Sequence, residues 1–134
     1  AMASTGGGSV ITISSLTARI PGLGLAVYSG CRAGIDYAVR VAAHEYGPQG
    51  VRFNSIAAGL IKTDMTDALF ESAETEQGHI QATPLRRMGS VDDIAQTALY
   101  LGDEVASGYV TGQLIDVAGG QNMGSLPNQE ALEA

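Results

Sequence analysis

Tyr28 and Arg32 are the residues whose types and spacing most directly suggest chemistry in this chain of 134 residues. They stand four apart in "AVYSGCRAG" (Ala26–Gly34), at the mouth of a segment that reads as a helix. That spacing puts both side chains on one helix face. A free tyrosine, with a pKa of about 10, is a poor base at neutral pH. A fixed cation beside it lowers that value and suits it to proton transfer with a reacting oxygen. The plainer reading makes Tyr28 a helix-start residue and Arg32 a solvated arginine. The elements that position the pair decide between the two.

"VITIS" (Val10–Ser14) is β-branched and mostly apolar, and reads as a buried strand. Residues 16–27 carry Pro21 and nearby glycines, and read as a loop. From about Tyr28 to Tyr46 apolar residues recur at helical spacing, at Ile35, Val39, Ala42, Ala43 and Tyr46. "GPQG" (Gly47–Gly50) stops that helix. "VRFNSIA" (Val51–Ala57) is a second strand, and "AGLIKTDMT" breaks away from it. Residues 63–83 are polar and read as short helices in a mobile segment. "GSVDDIAQTALYLGDE" is a helix opened by a capping box of Ser90 and Asp93, with Ile94, Ala98, Leu99 and Leu101 as its buried stripe. "QLIDVAGG" (Gln113–Gly120) is a third strand, and the last ten residues are expected to fray.

The order β-loop-α-β-loop-α-β predicts an α/β fold with a parallel sheet, right-handed crossovers and helices on both faces. Ligands in such sheets sit beyond the carboxyl ends of the strands. Ser15, Tyr28, Arg32 and the "AGLIKT" segment would then converge on one rim.

Composition excludes other classes. Net charge is −7, and the seven basic residues form no stripe, against a nucleic-acid partner. No apolar run reaches membrane-spanning length and no secretory leader pattern opens the chain, so neither a membrane nor export is implied. One cysteine, Cys31, forbids an internal disulfide and is consistent with a reducing, cytoplasmic setting; it reads as a small buried helix residue. His44 and His79 read as surface residues without ligands at metal spacing, so no metal site is expected. Asp92 and Asp93 read as helix-terminus acids and Asp64 as a cap.

These motifs together resemble the short-chain dehydrogenase/reductase family, from about Gly6 to Met123. "GGSVITISS" is similar to the strand that ends in the family's catalytic serine, and the serine matching Tyr28 is Ser15, with Ser14 a structural neighbour. "YSGCR" stands where the family has Tyr-x-x-x-Lys. "HEYGPQGVRFNSIAAGLIKTDM" resembles the stretch that usually reads Asn-x-x-x-Pro-Gly-x-x-x-Thr. "TPLRRMGSVDDIAQTALYLGDEVASGYVTGQLIDVAGG" is similar to the closing helix and strand, most like the 3-oxoacyl-carrier-protein reductase branch. The resemblance implies a Rossmann-type doubly wound parallel sheet, here its C-terminal half of about three strands. It also implies a cofactor, NAD or NADP, and hydride transfer between a carbonyl and an alcohol. By the same resemblance Ser15 orients the substrate oxygen and Tyr28 exchanges its proton. Arg32 lowers the Tyr28 pKa and holds the nicotinamide ribose. Gly59, the Ile61 main chain and the Thr63 hydroxyl contact the cofactor, and residues 62–83 cover the substrate.

Three departures qualify the resemblance. Arg32 replaces lysine: its guanidinium supplies the charge, but it is planar, bulkier and effectively never deprotonated, so it is unsuited to a proton relay. Ala58 replaces the usual proline. No glycine-rich pyrophosphate fingerprint precedes a helix. The whole of residues 1–134 therefore reads as one partial domain, its N-terminal dinucleotide-binding half absent and the isolated chain inactive. Without that half, "VITIS" becomes a hydrophobic edge strand that invites association. The expected partners are that half, a small carbonyl or alcohol substrate and a second copy of the chain. The alternative is a non-catalytic protein of the same fold, acting as a structural or ligand-binding subunit.

Overall fold

The computed structural model describes residues 1–64, 66–67 and 72–123. Three parallel strands, β1 (Gly8–Ser15), β2 (Val51–Ala58) and β3 (Leu114–Val117), form a sheet in that order. The register runs from Gly8 opposite Val51 to Ser15 opposite Ala58, and from Ser55 opposite Leu114 to Ala58 opposite Val117. Ser15, Ala58 and Val117 thus end in one row, and whatever follows them starts from a common rim.

β2 is the centre of the sheet, covered on both faces, and Asn54 through Ala57 are all buried. Its Phe53 and Ser55 face helix α1 (Ala26–Tyr46): the Tyr46 and Phe53 rings lie 5.6 Å apart, and Ser55 bonds to Asp36. On the other face Arg52 donates to the Leu101 carbonyl near the end of helix α3 (Val91–Gly102) at 2.8 Å. In the chain between β2 and α3 comes α2 (Ala73–Ala82), and a single turn, α4 (Glu104–Ser107), follows α3. The layers are those of a doubly wound α/β sheet. Gly50 (φ 72°) is left-handed where α1 gives way through a 3-10 turn to β2, a conformation that glycine adopts without a Cβ clash.

The expectation of a buried first strand is met only in part. β1 lies at the sheet's edge among the described residues, so Ser14 is buried while Ile13 stays 47% exposed. β3 stops three residues early, because Gly119 (φ 59°) and Gly120 (φ 92°) turn the chain. Leu99 is exposed rather than buried: the α3 stripe runs Ile94, Ala98, Leu101, and Leu99 sits about 100° off it. Cys31 is exposed too, for the same reason. The buried stripe of α1 is Asp36, Val39 and Ala43, continuing the face that carries Tyr28 and Arg32. His44 is exposed and His79 half-buried. Part of the segment read as a lid (residues 65 and 68–71) and the expected frayed end lie outside the described residues.

The capping box of α3 is present. Asp93 accepts two Arg87 guanidinium bonds, at 2.7 and 2.8 Å, together with the Ser90 amide and hydroxyl at 2.8 and 2.9 Å. The Arg87 bonds first, and then those from Ser90, hold the Asp93 carboxyl well below the usual carboxylate range. A depressed folded-state pKa stabilises above the unfolded value of about 4 and loses that contribution as pH falls below it. Asp93→Asn should therefore lower the thermal midpoint by a constant amount from pH 7 to about pH 5. The gap to wild type should shrink below about pH 4 in melting curves across that range.

Candidate functional site

Ser15 closes β1 and caps the 3-10 turn Leu16–Ala18: its Oγ accepts the Thr17 amide at 3.2 Å and lies 3.0 Å from the Thr17 hydroxyl. The loop that follows is anchored across the sheet. Arg19 bonds the Asp116 carboxylate at 3.1 Å and the Leu114 carbonyl at 3.2 Å. The chain then enters α1, whose first turn carries Tyr28.

Tyr28 is 44% exposed, and no described residue hydrogen-bonds its hydroxyl. The Arg32 guanidinium lies 5.0 Å from the Tyr28 ring centroid, stacked as a cation on the ring face. One of its nitrogens donates to the Ile13 carbonyl at 2.9 Å. Arg32 therefore ties the start of α1 to the end of β1, two residues before Ser15. The structure brings Tyr28 and Arg32 into contact and sets both beside the strand end that presents Ser15.

Sequence reasoning missed Asp36, one helical turn beyond Arg32. Its side chain, 8% exposed, accepts the Ser14 hydroxyl at 2.9 Å and the Ser55 hydroxyl at 2.7 Å. One residue thus pins α1 to both β1 and β2. The available signal was spacing, since positions 28, 32 and 36 fall on one face. Ser14 has the structural part expected of it.

The second wall of the rim is the exit of β2. A Cβ on Gly59 would lie 2.8 Å from Ala118, so its open face is taken by β3's end. Ala58 stands where proline was the expectation and still completes the strand register. Ile61 pairs with Gly89 in an isolated bridge, and Thr63 is half-buried.

These groups fit the nicotinamide end of a dinucleotide. The Tyr28 hydroxyl, bonded to no described residue, the remaining Arg32 N–H groups and the Thr63 hydroxyl are donors of the kind a ribose, a carboxamide and a phosphate need. They are not the glycine cradle that holds a pyrophosphate.

The three-strand parallel sheet with helices on both faces defines a Rossmann-type α/β protein, and comparison with known proteins narrows it. Residues 1–122 match the family model described as enoyl-(acyl carrier protein) reductase. A 3-oxoacyl-[acyl-carrier-protein] reductase of Staphylococcus aureus is 38% identical over 116 residues, 87% of this chain and 46% of that protein. The solved structure of a short-chain type dehydrogenase/reductase from Mycobacterium ulcerans superposes with a TM-score of 0.87 at 40% identity, covering 98% of this chain and 47% of that one. A 7α-hydroxysteroid dehydrogenase complexed with NADH and 7-oxo glycochenodeoxycholic acid superposes at 0.83 with 38% identity, covering 89% and 46%. The chain belongs to the short-chain dehydrogenase/reductase family. It spans about half the length of these relatives. No described helix is long and apolar enough to cross a membrane.

Proposed function

We propose that the chain supplies the catalytic face of an NAD- or NADP-dependent oxidoreductase that interconverts a ketone and a secondary alcohol. The observation that carries this reading is Arg32 stacked on a half-exposed Tyr28 whose hydroxyl is bonded to no described residue. The NADH held by the related steroid dehydrogenase supports the cofactor. When bound, the nicotinamide supplies the hydride, and the protein supplies position and charge. Ser15 holds the substrate oxygen by its hydroxyl. Tyr28 donates its proton to that oxygen in reduction and takes it back in oxidation. Arg32 supplies fixed positive charge beside Tyr28 and donates to the ribose. The Ile61 main chain and the Thr63 hydroxyl meet the carboxamide and phosphate, on a loop whose exit Gly59 lets pack against β3.

The working unit, in this reading, is a whole domain in which a glycine-rich nucleotide-binding half covers the open edge of β1. The exposed apolar residues Val27, Tyr37 and Val41 on the outer side of α1 suit contact with a second copy. The same enzyme would work as a soluble cytoplasmic protein.

The test is turnover of a panel of ketones by the complete protein with NADH and with NADPH. Consumption of either cofactor is the expected result, and none with both would overturn the reading. One observation favours a non-catalytic, ligand-binding protein: an Arg32 nitrogen is committed to the Ile13 carbonyl. Arg32→Lys separates the two. On the catalytic reading it restores a compact ammonium beside Tyr28 and raises turnover several-fold, measured as kcat. A protein silent in both forms would favour the second reading.

A further inference from the structure

Thr66 closes the "AGLIKTDMT" segment and has no role in the site described above, yet among the described residues its hydroxyl is the most heavily bonded group of the loop after β2. It accepts the Thr63 amide at 2.9 Å and lies 2.7 Å from the Ile61 carbonyl, 3.0 Å from the Thr63 carbonyl and 3.2 Å from the Thr63 hydroxyl. A hydroxyl has one proton to give, and the shortest contact, to the Ile61 carbonyl, is the natural acceptor. The two acceptor positions on the oxygen then serve the Thr63 amide and hydroxyl. The Thr63 hydroxyl contact is the longest of the set and the easiest to exchange for an anion.

The loop is also held from its other side. Lys62 donates its amide to the Gly89 carbonyl at 3.2 Å, and a Cβ on Gly89 would collide with the Ile61 side chain. Below the loop, the Thr66 and Asp67 amides close a turn on the Thr63 carbonyl at 2.8 and 3.0 Å. Ile61 and Thr63 are therefore fixed relative to each other by one side chain, three residues after the second of them.

We propose that Thr66 is a positioning residue for the nicotinamide cofactor: its single hydroxyl locks the Ile61 carbonyl and the Thr63 amide, so that the cofactor-facing groups of both residues are set before the cofactor arrives. The inference rests on the cofactor reading given above. A loop ordered in advance costs less to bind against, so the lock contributes to cofactor affinity rather than to the chemical step.

The test uses the complete protein as wild type, Thr66→Val and Thr66→Ser. Hydrogen exchange without cofactor reads the lock directly: the Thr63 amide should exchange at least about tenfold faster in Thr66→Val and return toward wild type in Thr66→Ser. Fluorescence titration with NADH and NADPH should show affinity about tenfold weaker in Thr66→Val, with KM for cofactor rising and kcat nearly unchanged. Unchanged Thr63 exchange and unchanged affinity in Thr66→Val, with wild type binding cofactor, would overturn the role of Thr66 alone. A wild type that binds neither cofactor would overturn the cofactor reading and this inference with it. Should Thr66→Val melt early, Thr63 amide exchange and cofactor affinity are read below its melting transition, where wild-type values contradict the lock; a tenfold loss of affinity in Thr66→Ser, which keeps the hydroxyl, contradicts it as well.

Discussion

Tyr28→Phe should abolish most turnover while leaving the fold intact. The phenol hydroxyl is bonded to no described residue and the ring is 44% exposed, so its removal breaks no described packing or hydrogen bond. Arg32 would still stack on a phenylalanine face. Stability should therefore change by less than about 0.5 kcal/mol, as for exposed substitutions generally. Loss of a general acid costs about 10²–10⁴-fold. Activity of the complete enzyme measured beside its melting midpoint separates the two effects. Turnover within about twofold of wild type would remove Tyr28 from the chemistry.

Asp36→Ala carries the largest expected cost in stability. It leaves the hydroxyls of Ser14 and Ser55 facing each other across a buried space without their acceptor. Each stranded group costs about 1–3 kcal/mol, so the sum is about 3 kcal/mol. In a domain of this size that lowers the thermal midpoint by roughly 10 °C. Asp36→Asn keeps one acceptor oxygen and puts an NH2 donor in place of the other, which a serine oxygen can accept, and should lose about 1 kcal/mol. The same change loosens the helix that carries Tyr28 and Arg32, so turnover should fall by about tenfold even at temperatures where the variant is folded. Thermal unfolding and activity of both variants check this. An Asp36→Ala protein as stable as wild type would show that the bridge contributes nothing.

The parallel order of the strands was legible because β-branched runs alternate with helical periodicity, and chain reversal between parallel strands needs those crossovers. The capping box at Ser90 and Asp93 was legible because its chemistry is local. Errors arose where tertiary context overrides local pattern. Leu99 looks buried by hydropathy, but helix phase turns it outward, and the same phase exposes Cys31. The last strand ends sooner than the apolar "VAGG" suggests, because its glycines adopt positive φ and turn the chain.

The site shows the same division. Tyr28 and Arg32 could be found from spacing, since four residues on a helix fix their contact. At Gly59 the structure adds a neighbour that spacing does not show: Ala118, just past the end of β3 and more than fifty residues on, closes on it. Asp36 and Thr66 left no motif. A buried aspartate among serines is visible only once two strands and a helix are brought together. A threonine hydroxyl becomes a latch only when a loop folds back on itself.

The most direct test of the central claim follows the hydride. The complete protein is incubated with a ketone and a reduced nicotinamide cofactor deuterated at the transferred position of the ring, and the product is read by mass spectrometry. If this chain supplies the catalytic face of a hydride-transferring enzyme, deuterium appears on the carbinol carbon, and Tyr28→Phe slows its appearance at least a hundredfold, within the range for a lost general acid of about 10²–10⁴. An alcohol formed without label, or no alcohol with either cofactor across the ketone panel, would contradict the account.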